Sequence, residues 1–137
     1  MYYIKFIMKN TIFKLTEYVY YFSLFVLLIL YLFPGSLIGY LLYGNLGQQP
    51  NLLANPIGTS INHLIFFFYL SILGFIFRSN QKKFINSFSF LFLISIILEL
   101  LHYFIPNRAF ELNDVYANSL GVLLAYFMLK LFRKIKN

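Results

Sequence analysis

The chain has 137 residues, of which 61% are hydrophobic and only 11% charged, with a formal net charge of +7 and no cysteine. A soluble domain of this length cannot hide so large an apolar fraction, so an ordinary soluble globular fold is excluded. Disulfides and thiol chemistry are excluded with the cysteines, and the positive charges flank apolar runs, which points to anionic lipid headgroups rather than nucleic acid as their partner.

The length suggests a single domain, residues 1–137. Ten of the eleven Lys and Arg residues fall in three clusters: Lys5, Lys9 and Lys14; Arg78, Lys82 and Lys83; Lys130, Arg133, Lys134 and Lys136. Long apolar runs separate them. Lys and Arg collect in cytoplasmic loops, so the three clusters belong on one side of a membrane. The expected fold is an all-α integral membrane protein, a bundle of four transmembrane helices with both termini in the cytoplasm.

The first span is predicted at about 17–33. A basic start before an apolar run also resembles a signal peptide, but the run is long, no clean small-x-small site follows, and further spans come after it. Pro34 and Gly35 break or kink this span, and 36–43 is apolar enough to stay near the membrane. Gly44 to Ser60 is rich in Gly, Pro and Asn and carries no charge, so it is predicted as an outer loop. Thr59, Ser60 or Asn62 then caps the second span, about 61–77. Arg78 to Lys83 forms a cytoplasmic hairpin. The third span, about 84–105, stops before Pro106, and Asn113 or Asp114 caps the fourth, about 115–132.

Glu99 is the least expected residue in this plan. It lies six positions before Ile105, which places it roughly 9 Å inside the apolar core. A carboxylate at such depth costs on the order of 2.5–3.5 kcal/mol and marks a functional candidate by default. Glu99 and His102 share a helix face at i and i+3. Asp114 and Asn118 share another at i and i+4, and Gly121 and Ala125 continue that stripe as a small surface suited to close helix packing. His63 enters at a similar depth from the second span. Arg108 is the one basic residue on the outer side, within reach of Glu99, Glu111 or Asp114. The candidate ligand-binding cluster is therefore His63, Glu99, His102, Arg108, Asp114 and Asn118. Taken singly, His63, Arg108, Asp114 and Asn118 are explained by capping, pairing or helix association; the convergence of all six is not.

The segment ELLHYFIPNRAFELNDVYANSLGVLLAY, Glu99 to Tyr126, resembles the signature of VanZ-like membrane proteins. That pattern runs Glu-x-x-Gln, then a Pro-x-Arg turn, then Asp-x-x-x-Asn-x-x-Gly. Glu99, Pro106, Arg108, Asp114, Asn118 and Gly121 match it in order and spacing, and His63 matches a His that opens a span in the family. Two positions depart: His102 stands where Gln is usual, and Thr59 and Ser60 replace an Asp-Lys pair. The resemblance implies a small bacterial inner-membrane protein of the cell envelope. A named member is associated with resistance to the glycopeptide teicoplanin.

Three functions compete. The cluster binds a polar headgroup or a lipid-linked cell-wall precursor, with Arg108 on its phosphate or carboxylate, Glu99 and Asn118 orienting it, and His63 and His102 hydrogen-bonded to it. Alternatively it is an intramembrane enzyme, with His63, Glu99, His102 and Asp114 supplying an acid and base or a metal site. The absence of HExxH, Gly-x-Ser-x-Gly and cysteine weighs against that reading, and neither a cofactor nor a metal is assigned. Lastly the chain is a packing partner or an oligomeric transport component, with a homo-oligomer built on the small face of the fourth span.

Overall fold

The computed structural model describes residues 2–50 and 60–136. Helix α1 runs Tyr2–Leu32, α2 Leu37–Tyr43, α3 Ser60–Asn80, α4 Phe88–Leu101 and α5 Leu112–Lys136, and every regular element among the described residues is helical. Single 3-10 turns, Phe84–Asn86 and His102–Phe104, sit before and after α4.

Three of these helices are long and apolar enough to cross a membrane, over Asn10–Leu32, Ser60–Arg78 and Leu112–Ile135. The third expected span, about 84–105, is not among them, because its helix is shorter than its apolar run. Regular α-helix covers only the 14 residues of α4, about 21 Å at 1.5 Å per residue, and the apolar stretch Phe88–Phe104 is completed by the 3-10 turn. The other bounds also shift. The helix containing the first span begins well before residue 17, because nothing from Tyr2 onward breaks it until Pro34. The last helix starts at Leu112, three residues earlier than expected.

The helices meet through narrow stripes. On α1 these are Tyr20, Leu24, Leu27 and Tyr31, spaced by three and four; on α3, Phe67, Leu70, Ser71 and Gly74; on α4, Leu91, Ser95, Leu98 and Glu99; on α5, Asp114, Asn118, Gly121, Val122 and Ala125. The opposite faces are apolar and exposed, as with Phe22, Phe25 and Ile29 on α1 and Leu93, Ile97 and Leu100 on α4. In hydrocarbon such faces cost nothing, and packing and interhelical hydrogen bonds must hold the bundle together.

The most extensive contact is between α3 and α5. Gly121 explains it. A Cβ there would lie 2.5 Å from the Leu64 carbonyl oxygen and 2.9 Å from the Phe68 amide nitrogen, so only glycine lets the two backbones come this close. The small stripe of α5 thus closes on α3, while α4 packs beside it.

At the basic end, the buried Asn86 side chain organises the α3–α4 connection. Its Oδ1 accepts from the Lys83 amide at 3.1 Å and from Arg78 Nη1 at 3.4 Å, and its Nδ2 donates to Gln81 O at 2.8 Å. Lys83 Nζ lies 3.2 Å from Glu17 Oε1, and that hydrogen bond raises the Lys83 pKa from its ordinary value. At the other end, Ser36 caps α2 by accepting from the Gly39 amide, and Gly44 ends α2 in the left-handed region. Half of the expected outer loop, 51–59, and the cap candidate Thr59 lie outside the described residues.

Candidate functional site

The polar cluster forms where α1, α3, α4 and α5 converge beside the α4–α5 connection. Each helix delivers its residues by regular spacing. Tyr31 continues the buried stripe of α1. Ser60 and His63 are one turn apart at the start of α3. Glu99 ends the buried stripe of α4, and His102 follows one turn later. Asp114 and Asn118 open α5.

His63 stands at the centre. Its Nε2 lies 3.4 Å from Asp114 Oδ2 and its Nδ1 lies 4.0 Å from Glu99 Oε2. The same Nδ1 is 2.6 Å from the Tyr31 hydroxyl. Both carboxylates are buried, Glu99 completely. Glu99 Oε1 is held by His102 Nδ1 at 3.0 Å and by the Glu111 amide at 3.2 Å. Asp114 Oδ1 accepts from the Ser60 hydroxyl. Each carboxylate therefore has one oxygen fixed by other groups and the second turned toward His63.

A relay of hydrogen bonds assigns the histidine tautomer. Asn118 Nδ2 donates to the Ser95 carbonyl at 3.2 Å, which leaves Asn118 Oδ1 as an acceptor. The Tyr31 hydroxyl donates to that oxygen at 2.8 Å. A hydroxyl has one proton, so Tyr31 must accept from His63, and His63 Nδ1 carries a hydrogen. In the neutral ring Nε2 is then bare and faces Asp114. Rings support the arrangement: Tyr31 stacks on His102 with centroids 5.4 Å apart and meets His63 edge-on.

Five of the six expected residues, His63, Glu99, His102, Asp114 and Asn118, are joined by these contacts. Arg108 corrects its expectation. It forms no ion pair within 4.0 Å among the described residues; its Nη2 donates to Leu30 O, and its Nε donates to Phe33 O at 3.3 Å. These are carbonyls at the C-terminal end of α1, where the last turn lacks internal donors and the helix dipole favours a cation. Burial lowers the Arg108 pKa from its ordinary value, opposed by Tyr31 and Glu99.

One assigned role also changes. Asp114 does not cap α5, because it lies inside the first turn and its amide bonds to Glu111 O. Asn118 accepts from Tyr31 through Oδ1 and donates to Ser95 O through Nδ2. Gly121 and Ala125 are buried on the face of α5 that carries Asn118.

Sequence reasoning missed Tyr31, which is one of 12 tyrosines and lies in an apolar run. It also considered Ser60 and Asn62 only as caps. Asn62 instead donates through Nδ2 to Pro50 O at 2.7 Å and lines a cavity of about 120 Å³. The cavity wall includes Leu27, Leu30, Ile38 and Phe66, and its polar lining includes Tyr31, His63, His102 and Arg108. Two lining residues carry buried polar atoms with no hydrogen-bond partner among the described residues, Asn62 Oδ1 and His102 Nε2, and a third such atom, Glu99 Oε2, lies behind the lining beside His63. Buried polar atoms are nearly always paired, so three orphans at one site call for a partner outside the chain.

No curated protein and no solved structure matches the chain. A family model described as VanZ/LLP1 matches residues 1–133. That match covers nearly the whole chain, including every residue of the polar cluster, and the protein belongs to the VanZ/LLP1 family.

Proposed function

We propose that the protein is a bacterial cell-envelope membrane protein whose cavity holds the polar head of an amphiphile, a membrane lipid or a lipid-linked cell-wall precursor. The observation that carries this reading is the cavity itself: apolar walls from α1, α2 and α3, with orphaned polar atoms and the Arg108 guanidinium on the same lining. Ligand sites combine an apolar enclosure with a few convergent polar groups in this way. A cavity of about 120 Å³ suits a compact headgroup, since an engineered cavity of about 150 Å³ accommodates benzene. Arg108 has five N–H donors and uses two of its nitrogens on α1, which leaves capacity for a phosphate or carboxylate. His102 Nε2 and Asn62 Oδ1 are acceptors for ligand hydroxyl or amine groups.

In this reading the apolar segment Phe88–Phe104 also crosses the membrane, at the short end of the usual range, with both termini in the cytoplasm and the cavity in the outer leaflet. A lipid-linked precursor bound there would connect the protein to glycopeptide resistance. Acid–base chemistry on the bound headgroup is the second reading, favoured by the placement of His63 against Asp114 with its tautomer set by Tyr31.

The test is native mass spectrometry of protein released gently from its membrane, beside Asn62→Leu and Glu99→Gln. An amphiphile carried by the wild type and lost from folded variants is the expected result. Bare protein in all samples would overturn the reading.

A further inference from the structure

Two carboxylates are buried within reach of one imidazole, and the charge around them does not balance. Glu99 and Asp114 are 0% and 5% exposed. Neither has a Lys or Arg within 4.0 Å among the described residues. Arg108, the nearest fixed cation by sequence, turns two of its nitrogens to backbone carbonyls of α1 and forms no ion pair with either carboxylate. A buried anion without a close cation is costly, and two side by side are more so.

The free ends of the three side chains converge. One ligand atom each from His63, Glu99 and Asp114 falls within 4.8 Å of the others. The relay through Tyr31 and Asn118 protonates His63 on Nδ1 and leaves Nε2 bare, 3.4 Å from an oxygen that is also an acceptor. Two lone pairs facing each other at that distance repel unless a positive charge lies between them. Glu99 Oε2 adds a second observation: it is wholly buried and unpartnered, 4.0 Å from the Nδ1 edge of the same ring, so it must shift toward Nε2 to share a cation there.

We propose that His63 Nε2, Glu99 Oε2 and Asp114 Oδ2 form a divalent-cation site. Two carboxylates neutralise a divalent charge, which removes the net charge from the membrane interior. One imidazole and two carboxylates suit Zn²⁺ or Mn²⁺, and three protein ligands leave a coordination position open. Metal–ligand distances of about 2.0–2.2 Å require the three side chains to draw together.

The surroundings have the form of an outer coordination shell. A metal-binding His typically donates its other N–H to a fixed acceptor, and ligating carboxylates are themselves hydrogen-bonded. Here Tyr31 accepts from His63, Ser60 donates to Asp114, and His102 and the Glu111 amide hold Glu99. His63 and Arg108 both line the cavity, so a phosphate there would lie beside the cation's imidazole ligand on one side and Arg108 on the other. That last role rests on the headgroup reading; the cation site does not.

The experiment is titration of metal-stripped, detergent-solubilised protein with Zn²⁺ and with Mn²⁺, followed by calorimetry, and by the visible spectrum of the Co²⁺-loaded protein. One saturable site per chain is expected, with a Co²⁺ spectrum of mixed nitrogen and oxygen ligation. Ser60→Ala should weaken binding by roughly 10–100-fold, as for an outer-shell partner, and Asp114→Asn by more. Absence of a saturable site in folded wild-type protein, or binding unchanged in folded Asp114→Asn, would overturn the proposal. The Co²⁺ spectrum of the wild type decides the matter if the variants do not fold. Native mass spectrometry of the same samples separates the two readings: lipid retained without metal removes the cation site alone, and metal without lipid removes the headgroup reading alone.

Discussion

Arg108 Nε lies 3.3 Å from the carbonyl oxygen of Phe33, 75 residues earlier in the chain. With its second bond to Leu30 O, the guanidinium closes the end of α1 onto the α4–α5 connection. This fixes the helix that supplies Tyr31 against the connection that supplies Arg108. Arg108→Gln removes a charged donor from a buried helix end, and a loss of about 1.5–3 kcal/mol is expected. Arg108→Lys should recover little, because an ammonium cannot reproduce the two-nitrogen geometry. Thermal unfolding in detergent checks this; a Lys variant as stable as wild type would contradict the fork.

Tyr31→Phe keeps the ring packing and deletes the relay. Asn118 Oδ1 then loses its donor and His63 Nδ1 its acceptor, which should cost about 1–3 kcal/mol. The loss should be much smaller when Tyr31→Phe is made in an Asn118→Leu background, because the two residues share the bond. A double-mutant cycle on unfolding midpoints measures this coupling. Additive losses would mean that the relay does not exist.

Gly121→Ala pushes a methyl group into backbone atoms of α3, which cannot swing aside as a side chain can. Overpacking of about 1–3 kcal/mol is expected. Gly47→Ala is the control, since the nearest atom to its added Cβ is Asn45 Oδ1 at 3.4 Å. Unfolding by denaturing detergent should separate the two variants clearly, and equal midpoints would refute the close α3–α5 approach.

The orientation can be read directly because the chain has no native cysteine. Cysteine placed at Gln48 should react with an impermeant reagent from outside intact cells, and cysteine at Gln81 only after the membrane is opened. The reverse pattern would invert the bundle and put the cavity on the cytoplasmic side. Reaction of both from one side would mean an even number of crossings between them, so that α3 does not span.

The family resemblance was legible in the sequence, and so were the six cluster residues named there, of which five are joined by contacts and Arg108 lines the adjoining cavity. Glu99 stands out because a carboxylate in an apolar run is costly at any tertiary arrangement. The Asp114–Asn118–Gly121 stripe follows from helical spacing alone. Local rules of this kind also gave the breaks at Pro34 and Gly35. They failed where a local rule had a long-range competitor. Asp114 resembles a cap, but α5 starts at Leu112 and the side chain meets Ser60 and His63 instead; Arg108 resembles an ion-pair partner, but the end of α1 offers carbonyls without donors.

By itself, the sequence determined the helical membrane character and which polar residues share a helix face, because hydropathy and helical period depend only on neighbours along the chain. Tertiary structure alone decided that Tyr31 orders the histidine, that Asn62 lines the cavity, and that two carboxylates share one imidazole. Those facts depend on how four helices rotate about their own axes. That rotation is set by packing contacts such as Gly121 against Leu64, between residues far apart in the chain.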